Sequence, residues 1–263
     1  MSKANVQTVC DAMNRIAPKH LAEDWDNPGL LVGDPHMEIN KILVCLDISD
    51  DIINRAVEIK AQMIVTHHPM IFRPIKHVRT DLPLGSKIRS LLKNDIAVFA
   101  AHTNLDSAVG GVNDVLAEKL GLVEVKTFDE ELSLGRIGKL QREMSAKEFA
   151  FHVKKSLKVN NIRLINAGDF LISKVGICGG AGSEFILKAK FLGADAFVTG
   201  DVKYHEAQAA FDNKIHVVDA GHFATEVPIV HVLVKKLKAE FRRLNVAIEV
   251  VEDETSKDFF NIM

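Results

Sequence analysis

The chain has 263 residues, 47% hydrophobic and 26% charged, a balance that excludes a disordered chain. Its 33 Lys and Arg against 35 Asp and Glu leave a formal charge of -2. That removes any general electrostatic pull towards nucleic acid or an anionic membrane. At this length about two domains are expected, and folding would hide roughly 73% of the extended chain's surface. No stretch approaches the ~18 apolar residues of a membrane span, and the opening MSKANVQTVCDAMNRIAP has no apolar core of a signal peptide. Cys10, Cys45 and Cys178 form no CxxC pair and sit among apolar neighbours. They read as buried thiols of a reducing cytoplasm rather than a disulfide framework or a thiolate zinc site.

Val6, Val9, Cys10, Met13 and Ile16 fall on one face of an opening helix that ends at Pro18. The turn-rich Trp25-Asp26-Asn27-Pro28-Gly29 follows and carries the only tryptophan. Strands are expected over 41–47, 62–66 and 96–101, with helices over about 50–61, 85–94 and 110–121. The pattern restarts with a strand over 134–140 and a helix opened by the capping-box signature Ser145-Ala146-Lys147-Glu148. Strands over 162–167 and 174–180, a helix over about 183–192, and strands over 194–200 and 215–221 come next, the last pair separated by a helix from near Asp201. A helix over about 227–243 and a strand over 246–251 complete the chain. Strands alternating with helices at this spacing mean βαβ units and a largely parallel sheet. The acidic stretch KTFDEEL (126–132) is the best boundary between two α/β domains.

In an open α/β sheet, ligands bind beyond the carboxyl ends of the strands. Four polar clusters occupy that place: His67-His68-Pro69, His102-Thr103-Asn104-Leu105-Asp106, Gly200-Asp201 with His205, and His222-Phe223-Ala224-Thr225-Glu226. Adjacent residues on extended chain point opposite ways, so His67 and His68 suit two ions side by side, or one ion and a core contact. Pro228 is comfortable only in a helix's first turn, which puts a helix start near Thr225, His222 in the preceding loop and Glu226 in the first turn. Each residue also has an ordinary structural explanation. Asp106 would be a turn residue before Gly110-Gly111, Asp201 a helix cap, His205 a surface residue, Glu226 a partner of the helix dipole, and Asp47, Asp50 and Asp51 helix starters. Taken together they leave imidazoles and carboxylates converging on one sheet edge without thiols, the ligand chemistry of zinc, iron or manganese. The five groups of a His/His, Asp, His/Glu set fit two metals sharing a carboxylate, which acidify a water into a hydroxide nucleophile. The surplus positive charge of such a pair favours an anionic substrate. The Gly-rich CGGAGS (178–183) is either a phosphate cradle at a helix start or a tight turn.

The motifs WDNPGLLVGDP, THHPMIF, HTNLD, GDVKYHEAQ and GHFATE, in that order between residue 25 and about residue 228, resemble the dinuclear metal-centre family of GTP cyclohydrolase 1 type 2 homologues, also called NIF-three-like. The resemblance implies metal ligands at His67, His68, Asp106, His222 and Glu226, with Glu226 as the bridge. It leaves His102 behind the ligands or facing substrate. It further implies two α/β domains, 1–127 plus 222–263 and 128–221, with largely parallel or mixed sheets flanked by helices, and a ring-shaped homohexamer.

Three functions compete on these grounds. A metal-dependent hydrolase would act on a nucleotide or phosphorylated small molecule, with GTP cyclohydrolase-like chemistry implied by the resemblance. A metal-binding or scaffold protein would hold the ions without turnover. Nucleic-acid binding is the weakest, given the charge balance, and there is no GxxxxGK[ST] phosphate loop.

Overall fold

The computed structural model describes residues 4–128 and 134–261. The part of the expected boundary KTFDEEL from residue 129 to 132 lies outside them. The first stretch of chain forms α1 (Val6–Ile16), β1 (Gly29–Val32), β2 (Lys41–Cys45), α2 (Asp50–Glu58), β3 (Met63–Thr66), α3 (Pro83–Lys93), β4 (Ala97–Ala100) and α4 (Thr103–Ser107). The middle forms α5 (Val112–Lys119), β5 (Val123–Thr127), β6 (Arg136–Met144), α6 (Ala146–Leu157), β7 (Arg163–Ile165) and β8 (Ile172–Ile177). There follow α7 (Ile186–Phe191), β9 (Ala196–Thr199), α8 (Tyr204–Asp212), β10 (His216–Asp219) and α9 (His222–Glu226). The chain ends with α10 (Pro228–Arg243) and β11 (Glu249–Glu252).

Two sheets organise these elements. The first runs β1-β4-β3-β2-β11, parallel except for β1, which pairs antiparallel with β4. Strands β3 and β4 are buried along their whole length, as expected of parallel strands covered on both faces. Ile52, Ile53 and Ala56 of α2 and Leu91 of α3 pack on Leu43, Ile64 and Val98. The C-terminal segment returns to this sheet: β11 lies parallel to β2, and Arg15 of α1 meets Glu240 of α10 at 3.0 Å. By contact, this unit comprises Met1–Ala108 and Ile229–Ser256.

The second sheet runs β5-β6-β8-β9-β10-β7. Strands β8, β9 and β10 are parallel and the outer pairings antiparallel, so the sheet is mixed. Leu116 of α5 and Phe149 and Val153 of α6 cover one face over Val175 and Val198. Ile186 and Ala189 of α7 and Ala210 of α8 cover the other over Phe197 and Val217. The capping box forms at α6: Ser145 Oγ accepts from the Glu148 amide at 3.4 Å, and Glu148 returns the bond to the Ser145 amide at 2.9 Å. Such caps stabilise a helix by about 1 kcal/mol. This unit comprises Val109–Pro228 and Lys257–Met263. The chain thus passes between units after Ala108, after Pro228 and again after Ser256, whereas composition and resemblance point to bounds at 127 and 222. The early passage follows from β5, whose partner β6 belongs to the second sheet.

Candidate metal centre

The candidate ligands stand at the carboxyl ends of parallel strands, but in two sheets rather than along one edge. His67 and His68 follow β3, and His102 follows β4, in the first sheet. Asp201 follows β9, and His222 follows β10, in the second. Strand alternation alone did not separate the two sheets, because both repeat the same strand-helix unit.

In the first unit the imidazoles are held from behind. His67 is buried, and its Nδ1 donates to the Ala101 carbonyl at 2.8 Å. His68 is half-buried, and its Nδ1 donates to Asp47 at 2.7 Å. Both bonds leave Nε2 as the nitrogen able to ligate. Asp106 sits in α4, a short helix buried along its whole length rather than the turn its sequence suggests, and its Oδ1 lies 3.6 Å from His67 Nε2. His102 precedes that helix and donates from Nδ1 to Asp26 at 2.9 Å. The same Asp26 carboxylate takes the Thr103 amide at 3.0 Å and the Thr103 hydroxyl at 2.5 Å. Burial would raise the Asp26 pKa, but the hydrogen bonds from His102 and Thr103 prevail and lower it to about 2. His67, His68 and His102 each offer a ligand atom, all within 4.8 Å of one another.

In the second unit, His222 and Glu226 open and close the single turn of α9. This corrects the expectation that His222 lies in a loop and Thr225 caps the helix. Gly221, at φ +88°, takes the cap position, and Pro228 begins a separate helix instead of the same one. One turn brings His222 Nε2 to 3.1 Å from Glu226 Oε2. His222 Nδ1 donates to Asp201 at 2.8 Å, and Glu226 is buried. Thr225 instead lies inside α9, where its hydroxyl accepts the Gly180 amide at 2.9 Å.

That bond belongs to the Gly-rich loop after β8. The Gly179, Gly180 and Gly182 amides are committed to Asn113, Thr225 and Thr199 at 2.8–2.9 Å, so the loop does not present them as a phosphate cradle. Its glycines serve a different need. A Cβ on Gly180, at φ +63°, would lie 2.1 Å from Glu226 Oε1 and 3.1 Å from His222 Nε2. A Cβ on Gly200 would strike the His222 amide at 2.6 Å.

His205 does not join this group. It is exposed on α8, with Nδ1 3.4 Å from Gln208. Asp201 is no helix cap, since α8 begins after Lys203; it is the carboxylate behind His222. Asp47 and Asp26 were set aside or left unassigned from sequence, yet each orients an imidazole. Asp47 carries the signal that would have found it: it ends the KILVCLD run, at the same strand end as the histidines. Among the other histidines, His216 is a core residue, stacked on Phe170 at 4.1 Å and accepting the Ala167 amide on Nδ1 at 3.1 Å.

An imidazole whose Nδ1 donates to a carboxylate or carbonyl is the usual form of a metal-ligating histidine, because that bond fixes the tautomer and strengthens the other nitrogen as a donor. The chain therefore carries His, Asp and Glu groups that can hold metal ions.

Residues 4–258 match the family model Duf34/NIF3 (NGG1p interacting factor 3). A Clostridium perfringens protein named GTP cyclohydrolase 1 type 2 homolog is 38% identical over 260 residues, covering 97% of this chain and 98% of its own. A Clostridium acetobutylicum protein of the same name is 35% identical, covering 96% and 97%. Among solved structures, a Bacillus cereus protein related to NIF3 superposes with a TM-score of 0.94 at 26% identity, covering all of both chains.

Proposed function

The chain belongs to the Duf34/NIF3 family, and from that premise we propose that it is a metal-dependent hydrolase acting on a nucleotide or other phosphorylated small molecule. His67, His68, Asp106, His222 and Glu226 would hold two divalent ions, zinc, iron or manganese. The observation that carries this reading is the shared construction of three imidazoles. His67, His68 and His222 each tie Nδ1 to Ala101, Asp47 or Asp201, which leaves Nε2 as the nitrogen that can ligate. When bound, the ions would supply the charge that polarises a substrate oxygen and acidifies a water. The chain's own residues then fix the ligand tautomers, and the two buried carboxylates offset part of the metal charge. The remaining positive charge favours an anionic substrate.

No helix among the described residues is long and apolar enough to cross a membrane. The same reading makes the protein a cytoplasmic homohexamer in which nucleic acid is not a partner, supported by its buried cysteines, its family and its charge of -2. Protein stripped and reloaded with manganese, zinc or iron is expected to turn over a member of a nucleotide and sugar-phosphate panel. Glu226→Ala should abolish that turnover. Equal rates in the variant end the proposal. Stoichiometric metal with no reaction across the panel would instead make the chain a metal-binding scaffold.

A further inference from the structure

Trp25 and Phe72 are an anomaly of the first unit. Large aromatic rings usually bury most of their surface, yet Trp25 is 58% exposed and Phe72 41%. They are not loose. Asp26, next to Trp25, has its side chain fully buried beneath His102 and Thr103, which give it three hydrogen bonds. Asn27 Nδ2 donates to the Ile71 carbonyl at 2.6 Å, fastening the Trp25 turn to the backbone immediately before Phe72. The Glu23 amide donates to Thr103 Oγ1 at 3.0 Å on the other side of the turn. The result is three rings meeting edge to face: Trp25 with Phe72 at 5.8 Å, Trp25 with His102 at 6.2 Å, and Phe72 with His102 at 6.1 Å. His102 in turn stands 5.3 Å from His67 and 5.7 Å from His68, centroid to centroid. An exposed aromatic corner, held rigid by polar anchors, thus lies one imidazole away from the candidate ligands.

We infer that Trp25 and Phe72 form a stacking subsite that takes a planar heteroaromatic ring of the substrate and sets it beside the imidazole cluster. The inference rests on the proposed hydrolase for the word substrate, and it narrows the substrate class to ring-bearing compounds, a nucleotide rather than a simple sugar phosphate. Physical grounds favour this occupant. Every heteroaromatic ring has a face to stack, and such stacking on an aromatic side chain is sequence-tolerant and strong for its size. A pre-ordered corner loses little entropy on binding. The corner adjoins polar groups able to act on whatever the ring carries, as small-molecule sites combine apolar walls with a few convergent polar groups.

The chain offers its own reporter, because Trp25 is its single tryptophan. Full-length protein, metal-stripped and metal-loaded, is titrated with adenosine and guanosine 5′-monophosphate and, as a ring-free control, ribose 5-phosphate, while Trp25 emission is followed. Saturable quenching by the nucleotides and none by ribose 5-phosphate is the expected result. Phe72→Ala should weaken that response roughly tenfold or more, the size of one lost stack, and Phe72→Tyr should retain it. Absence of saturable quenching, equal quenching by ribose 5-phosphate, or an unchanged affinity in Phe72→Ala overturns the subsite. So does emission shielded from acrylamide in the assembled protein, which would mean that a second copy covers the rings. Failure of the hydrolase reading looks different: the quenching persists and no substrate turns over. Turnover with an unaltered KM in Phe72→Ala does the reverse, keeping the hydrolase and removing the subsite.

Discussion

Glu226 Oε2 and His222 Nε2 stand 3.1 Å apart at the two ends of one helical turn, and Asp201 holds the other nitrogen of the same ring at 2.8 Å. The pair is therefore pre-set from outside the helix. Asp201 is itself half-exposed, so removing its carboxylate leaves the core untouched. Asp201→Ala is expected to keep the fold, at a small stability cost because the residue sits at φ +55°, while lowering metal affinity about 10- to 100-fold, the usual cost of losing a carboxylate behind a ligating histidine. Elemental analysis after dialysis against a graded chelator reads this directly. Full metal retention would show that Asp201 does not orient His222.

Gly180 constrains the same pair from the opposite side. A methyl group there meets Glu226 Oε1 at 2.1 Å, well inside contact distance, and the residue's φ of +63° disfavours any side chain. Gly180→Ala should therefore cost about 1–2 kcal/mol of stability from the backbone alone. The larger effect is expected on metal content, because Glu226 must swing away. Gly179→Ala, where the nearest atom is Val112 Cγ1 at 3.0 Å, should lose less of both. Chemical denaturation and metal analysis of the two variants side by side decide the matter.

The elements that sequence made legible are those whose hydrophobic pattern is long enough to repeat. Parallel strands such as β3 and β4 read as unbroken apolar runs because both faces are covered. The unread strands lack that signal. In β5, VEVKT, every residue is exposed, so no buried face imposes alternation. In β1, GLLV, four residues follow Pro28 at a sheet edge, and only the pairing with β4 marks them as strand. Helices α4 and α9 have five residues each, too short for a helical period, so Asp106 looked like a turn residue and His222 like a loop residue. His67, His68, His102, Asp106, His222 and Glu226 stand out in the sequence as candidates, because imidazoles and carboxylates at strand ends need no periodicity. Asp26 and Asp47 were missed as orienting groups because an aspartate near a turn or helix start has a sufficient local explanation. Only contacts distant in sequence, 76 residues from His102 to Asp26 and 21 from His68 to Asp47, reveal the second role.

Asp26 has a measurable acid signature. Burial opposes its charge, but the bonds from His102 and Thr103 outweigh it and hold the folded pKa at about 2, below the ordinary 3.8. The folded state thus binds its proton later than the unfolded state. The stabilisation is complete above pH 3.8 and disappears as pH falls towards about 2. Asp26→Asn should lower stability by about 2 kcal/mol near neutral pH, where bonds to a charged acceptor are lost. The deficit against the parent protein should shrink steadily below pH 4. Urea midpoints measured across that range give the difference, and a deficit independent of pH would assign the loss to packing rather than to the charge.

His216 sets a second pH dependence, inside the second unit's core. It is fully buried and stacked on Phe170, and its Nδ1 accepts the Ala167 amide while Nε2 donates to the Phe170 carbonyl at 3.3 Å. That arrangement requires the neutral ring, and burial accordingly lowers the pKa from its ordinary 6.5. Above pH 6.5 the residue is neutral in both states and contributes no slope. Below it the unfolded chain takes up a proton that the folded chain refuses, so stability falls as pH drops from 6.5 towards the lower folded value. His216→Met removes the titration and leaves the Ala167 amide without its acceptor, at a cost of about 1–3 kcal/mol near neutral pH. The variant should therefore be less stable than the parent at pH 7 and lose the part of the acid slope that His216 supplies. Parallel slopes for the two proteins between pH 6.5 and pH 5 would mean that His216 already carries its proton in the folded core.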